Sequence, residues 1–158
     1  MSSGPDNGQD MQAVVFSIDK QFFGIDISLV SEIIRQKEIT PLPQASDYVE
    51  GIINLRGSVI PVLNLHMLFN MQAEEQDDNN RIVIIADSGN EQKFGLMVDT
   101  VQEVKKFHLE QLQEAPGTVN TGQQYLKGIV LDDDKMIVLV DPNQILSQGE
   151  MKQIITGR

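Results

Sequence analysis

Gly24-Ile25-x-Ile27-x-x-Val30-x-Glu32-Ile33 recurs as Gly95-Leu96-x-Val98-x-x-Val101-x-Glu103-Val104, an offset of 71 residues. A second pair of segments repeats further along. Tyr48-Val49-x-Gly51-Ile52 returns as Tyr125-Leu126-x-Gly128-Ile129, and Ile60-x-Val62-Leu63-Asn64 as Ile137-x-Leu139-Val140-Asp141, now offset by 77. The second copy therefore carries six extra residues between its two blocks. Self-similarity of this kind outranks any single motif in deciding architecture. It predicts two similar units in one chain, about residues 14–69 and 82–146.

Each copy reads as a run of short strands. In the first, Ala13–Ile18 and Phe22–Ile27 flank a turn at Asp19-Lys20-Gln21, and Gly51–Leu55 and Ser58–Leu65 form a hairpin with Arg56-Gly57 at its tip. Ile27, Val30, Ile33 and Ile34 fit a helical turn or a bulged strand equally well. Pro61 has no N–H to give a ladder, which predicts an edge strand or a bulge there. Asn64–Phe69 reads as a closing helical turn. The second copy reads as Ile82–Asp87, Lys93–Val98, Val101–Lys105, a short helix at Leu109–Leu112, then Gly128–Leu131 and Lys135–Val140 around Asp132-Asp133-Asp134. Pro142–Leu146 and Glu150–Ile155 look helical. About five short strands per copy, strongly twisted, close most readily into barrels, which removes exposed edges. The expected fold is all-β: two five-stranded barrels with short helices. Residues 1–11 form a disordered tail and 148–158 a C-terminal helix or tail.

Composition narrows the function. The chain of 158 residues has no cysteine, which excludes disulfides and thiolate metal sites. Its net charge is −11 and its largest basic cluster is Lys105-Lys106, so neither nucleic acid nor an anionic membrane surface is an expected partner. The longest aliphatic runs, Ile82–Ala86 and Met136–Val140, are strand-sized, and no direct membrane insertion is expected. A cytoplasmic protein follows by default.

Catalytic constellations are nearly absent. The two histidines, His66 and His108, lie in different copies without metal-ligand spacing, and no glycine-rich phosphate loop or serine elbow occurs. The three consecutive aspartates at 132–134 splay apart in a tight turn and read as a solvated turn before they read as a cation site. Asp99 and Glu103, four apart, resemble an acid/base pair only if helical, and nothing beside them tunes either group. No catalytic residue, metal or cofactor is expected. Arg56 stands out: a cation at a hairpin tip whose counterpart in the second copy is Asp133. Arginine is enriched in binding hot spots, although a turn residue is by default merely solvated.

At Gly51–Phe69 the likeness becomes specific. GIINLRGSVIPVLNLHMLF resembles the G-x-x-NLRG-x-x-x-P-V-x-[DN]-L block of the CheW family of chemotaxis coupling proteins. FGIDISLVSEI, FGLMVDTVQEV and YLKGIVLDDDKMIVLVD support it, extending the resemblance over residues 12 to about 147. Asn64 and His66 depart from the Asp and Arg common there. The resemblance implies two SH3-like five-stranded barrels on a shared apolar core. It implies a non-enzymatic adaptor, recruited to membrane receptor arrays, that joins chemoreceptor cytoplasmic tips to the regulatory domain of the histidine kinase CheA. By resemblance, Val30, Glu32, Ile33 and Gly51 face the kinase, and Arg56, Ile82, Val101 and Val104 face the receptor. The alternative is a sensory barrel protein that binds a small molecule in the cleft between units.

Overall fold

A computed structural model describes residues 10–43, 47–71, 78–86, 92–114 and 126–146. The strands are β1 (Asp10–Ile18), β2 (Gln21–Asp26), β3 (Val30–Arg35), β4 (Val49–Leu55), β5 (Ser58–Asn64), β6 (Arg81–Ala86), β7 (Lys93–Val98), β8 (Thr100–His108), β9 (Leu112–Gln113), β10 (Leu126–Asp132) and β11 (Lys135–Val140). Two short helices, α1 (Leu65–Leu68) and α2 (Pro142–Leu146), follow β5 and β11. The all-β, two-unit class expected from the repeats is what the strands form, consistent with the SH3-like units that the resemblance implies.

The strands make two sheets. Sheet A runs β8-β1-β2-β11-β10-β9, and sheet B runs β3-β6-β7-β5-β4. Repeat partners occupy matching places: β8 and β3, β1 and β6, β2 and β7, β11 and β5, β10 and β4. Even the extra strand has a counterpart, because β9 pairs with Ile129 where a single bridge from Thr40 pairs with Ile52. The copies are nevertheless not self-contained. The first hairpin of each copy sits in the sheet otherwise built by the other copy, which corrects the reading of 14–69 and 82–146 as separate units. Short corners enforce the exchange. Only the 3-10 turn Ile27–Leu29 separates β2 from β3, and only Asp99 separates β7 from β8. Neither link is long enough to return the chain beside its own hairpin, so it crosses to the other sheet.

The crossing creates three apolar layers. Ala13, Val15, Phe107, Val130, Ile137 and Leu139 fill sheet A, and Ile53, Leu55, Ile60, Val62, Ile82 and Ile84 fill sheet B. Between them, Phe16, Ile18, Phe23 and Ile25 of sheet A meet Leu63, Val83, Ile85, Phe94 and Leu96 of sheet B. Central strands are therefore buried on both faces, which is why Ile82–Ala86 and Ile137–Val140 are continuous aliphatic runs without alternation. Phe23 stacks on Phe16 at 6.0 Å and on Phe69 at 5.1 Å, tying α1 to sheet A.

Two local expectations resolve here. The ambiguous 27–34 segment is both of its alternatives in succession: a 3-10 turn capped by Asp26, whose side chain accepts from Ser28 N at 2.9 Å, then a strand with a bulge between Val30 and Glu32. β8 carries the equivalent bulge between Val101 and Glu103, opposite Phe16 and Val15. Pro61 lies in an internal strand, which corrects the expectation of an edge. It is tolerated because its partner Ile52 directs both backbone groups to Thr40, at 2.9 Å each, and β7 pairs β5 only from Val62 onward. No ladder bond is forfeited.

Candidate functional site

β3 is an outer strand of sheet B and presents one bulged, amphipathic edge. Val30 is half-buried against the central core, Glu32 is partly covered, and Ile33 is 38% exposed. Opposite them, the β4–β5 hairpin turns through Arg56 and Gly57, both with positive φ (53° and 89°), as a two-residue turn matching the strand twist requires. Arg56 is an unusual residue for that conformation. Its guanidinium grips both carboxylate oxygens of Glu32, at 2.7 Å each, in a bidentate fork. The hydrogen bond and charge of Arg56 hold the Glu32 carboxyl below its usual range, helped by Lys93, while Glu32 pushes the Arg56 guanidinium up. Lys37 reaches from beyond β3 to the Asn54 carbonyl. Two contacts therefore draw together the outer strands β3 and β4, which are the two ends of sheet B's order.

Sheet A has the same brace with its polarity reversed. Lys105 on β8 binds Asp132 at the end of β10, at 2.5 Å. That contact raises the Lys105 amine above its ordinary value, against partial desolvation. Arg56 and Asp133 share the same backbone twist, φ 53° and 56°, so the opposite charges noted in sequence do fall at equivalent tips.

The expected site residues separate into groups. Val30, Glu32 and Ile33 share the β3 edge, and Glu32 is joined to Arg56. Val104 is 49% exposed on β8, whereas Val101 is half-buried on the central core. Ile82 is 0% exposed inside sheet B, which corrects its placement on a receptor-facing surface: it pairs with Met97 in an internal strand, and its side chain packs into the sheet B layer. Gly51 is also buried. It lies under Thr40, whose carbonyl oxygen would stand 2.2 Å from any added Cβ, so glycine serves the close crossing of residues 39–40 over β4. No hydrogen bond or ion pair among the described residues links Arg56 to Val104.

A buried polar cluster escaped the sequence reading. His66 Nε2 meets Asp99 Oδ1 at 2.9 Å, with both side chains almost wholly buried. Asp99 also accepts from Asp19 N at 2.8 Å through its other carboxylate oxygen, while its backbone N–H donates to Ser17 O at 3.0 Å and its backbone carbonyl accepts from Asn80 Nδ2 at 3.2 Å. Asn64 caps α1, accepting from His66 N and Met67 N, and its amide donates to Glu50 at 3.0 Å. The 33-residue separation of His66 and Asp99 hides the pair from spacing arguments. This disposes of the Asp99–Glu103 pairing: Asp99 is spent on the corner between sheets.

Cavities of about 400 and 380 Å³ flank Val59, lined by Lys37, Thr40, Ile52 and Asn54 on one side and by Arg56, Ser58, Gln92 and Lys93 on the other. Both open on the flank of one hairpin, and the space between the sheets is filled by the central core. No group of three or more His, Asp or Glu side chains suited to a metal occurs among the described residues. No helix among them is long and apolar enough to cross a membrane.

Known proteins match most of this chain. The CheW-like domain family model matches residues 12–150. The chain is 32% identical to the chemotaxis protein CheW of Klebsiella aerogenes, over 94% of this chain and 88% of the relative. It is 30% identical to that of Thermotoga maritima, over 92% and 93%. The solved structure of the scaffolding protein TtCheW from Thermoanaerobacter tengcongensis superposes with a TM-score of 0.76 at 35% identity, covering 82% of this chain and 83% of that one. The family model spans residues 12–150 and the relatives align over nearly the whole chain, and the chain belongs to the CheW-like family of chemotaxis coupling scaffolds.

Proposed function

We propose that this adaptor works in the cytoplasm, at membrane receptor arrays, where it joins chemoreceptor tips to the regulatory domain of the histidine kinase CheA. Residues 12–147 act as the coupling unit, without catalysis of their own. The β3 edge, with Val30, Glu32 and Ile33, docks the kinase. Arg56 and the β8 edge, with Val101 beneath and Val104 on the surface, meet the receptor.

The observation that carries this reading is the Glu32–Arg56 fork. It joins a residue assigned to one partner to a residue assigned to the other, so the two surfaces are neighbours on one rigid frame. An outer strand with a half-exposed isoleucine and a bulge supports protein docking better than small-molecule enclosure.

Reconstitution with receptor-bearing membranes and kinase tests it. Ile33→Asp is expected to abolish kinase capture while receptor binding persists, and Val104→Asp to do the reverse. Loss of neither interaction by either variant overturns the assignment of faces.

A further inference from the structure

We propose that a corner of sheet A, formed by Leu109, Leu131 and Met136, is a docking surface for a cationic amphipathic segment of another protein. This surface is on sheet A, whereas the Arg56 tip and the β3 edge are on sheet B, and it is formed without Val104 of the β8 edge.

Eight large apolar side chains are exposed among the described residues, and three of them lie on neighbouring elements here, at 41%, 46% and 63% for Leu109, Leu131 and Met136. Leu131 and Met136 stand directly opposite each other on β10 and β11, where cross-strand side chains touch. Leu109 opens the 3-10 turn whose Gln111 side chain donates to the Leu131 carbonyl at 3.4 Å. The hairpin does not need this pair for its own packing. The adjacent rung, Val130 and Ile137, points the other way into the sheet A core. In sheet B the same rung is Asn54 and Val59, and Asn54 uses its side chain to accept the Gly57 N–H at 2.8 Å. A stable hairpin of this shape is thus built elsewhere in the same chain with a polar residue where Leu131 stands.

Charge selects the occupant. Glu110 and Asp133 and Asp134 border the patch, all exposed. Two nearby cations are already engaged: Lys105 is bound by Asp132, and Lys135 stands over the Phe22 ring, 4.9 Å from its centre. A second copy would bring the same acidic rim and a net charge of −11, and an anionic lipid surface would meet the same repulsion. Lys or Arg flanking two or three apolar anchors complements both features. Leucine and methionine adapt their shape to such anchors.

The test uses the full chain, isotopically labelled, and a synthetic peptide of about 15 residues with Leu and Lys on opposite helical faces. Saturable binding is expected, with the strongest amide perturbations at Leu109, Leu131 and Met136. Leu131→Ser with Met136→Ser is expected to weaken it at least about tenfold at an unchanged melting temperature. Asp133→Asn with Asp134→Asn is expected to weaken it and flatten its salt dependence. A Glu-for-Lys analogue that binds equally well overturns the proposal. So do perturbations spread over all acidic surfaces, an unchanged affinity in the serine variant, or dimerisation through the patch.

Discussion

His66 and Asp99 meet 2.9 Å apart in the interior, one at the start of α1 beside sheet B and the other at the corner where the chain passes from β7 to β8. Through Asp99 the pair also reaches the β1–β2 turn of sheet A, at Asp19 N. A single buried contact thereby fastens the two sheets at their crossing.

Removing one partner leaves the other buried without its counterpart. His66→Ala is expected to lower stability by about 3 kcal/mol, and Asp99→Ala by at least as much because both His66 Nε2 and the Asp19 N–H lose their carboxylate partner. Urea unfolding measures both. The double variant is expected to lose less than the sum, since the two residues share one interaction. A loss below about 0.5 kcal/mol for His66→Ala would contradict a structural role.

Arg56→Ala is expected to leave the melting temperature nearly unchanged, because the tip is exposed and surface ion pairs are weak. Receptor-dependent kinase assembly is expected to weaken about thirtyfold if Arg56 is a hot spot. Arg56→Lys restores little, since a point charge cannot reproduce the fork that grips Glu32. Lost stability with intact assembly would make Arg56 purely a brace.

Acid provides an independent check on the same fork. Glu32 has a carboxyl held below its ordinary value of 4.5, so its contribution is present above that value and is lost as pH falls through the depressed folded one. Unfolding midpoints of the protein and of Glu32→Gln should differ by a constant amount near neutrality and converge in acid. A difference that persists at the lowest accessible pH would mean Glu32 acts through packing.

Gly51→Ala and Gly57→Ala separate two kinds of strain. At Gly51 a Cβ would overlap the Thr40 carbonyl oxygen at 2.2 Å, and the loss is expected to exceed about 3 kcal/mol. At Gly57 nothing lies within 4 Å, so only the φ of 89° opposes a side chain, for about 1 kcal/mol. Equal losses at the two positions would refute the crossing of residues 39–40 as the reason for Gly51.

Strand identities and the two-unit plan were legible because hydrophobic runs and turn residues are local. The partner of each strand was not. That the first hairpin leaves its own copy depends on corners as short as Asp99, and no periodicity records which sheet a chain enters after a corner. Ile82 illustrates the same limit at the site. Its aliphatic run reads alike whether it lies at a surface or between neighbours, and only the internal position of β6 decides. Glu32 and Arg56 were each singled out, but their contact spans the sheet and was invisible from spacing. Tyr125 and Glu150–Ile155 lie outside the described residues.

The exchanged hairpins also fix an order of events during synthesis. β2 finds its parallel neighbour only in β11, where Phe22 pairs with Ile137 and Gly24 with Leu139. Sheet B is complete in sequence once β7 has emerged, whereas sheet A waits for nearly the whole chain. Until then the faces of β1 and β2 that carry Ala13, Val15 and Phe22 lack the cover of Phe107, Val130, Ile137 and Leu139. The nascent protein is therefore most vulnerable to misassociation late in translation, and a copy cut between the repeats is expected to seek its missing hairpin from another molecule.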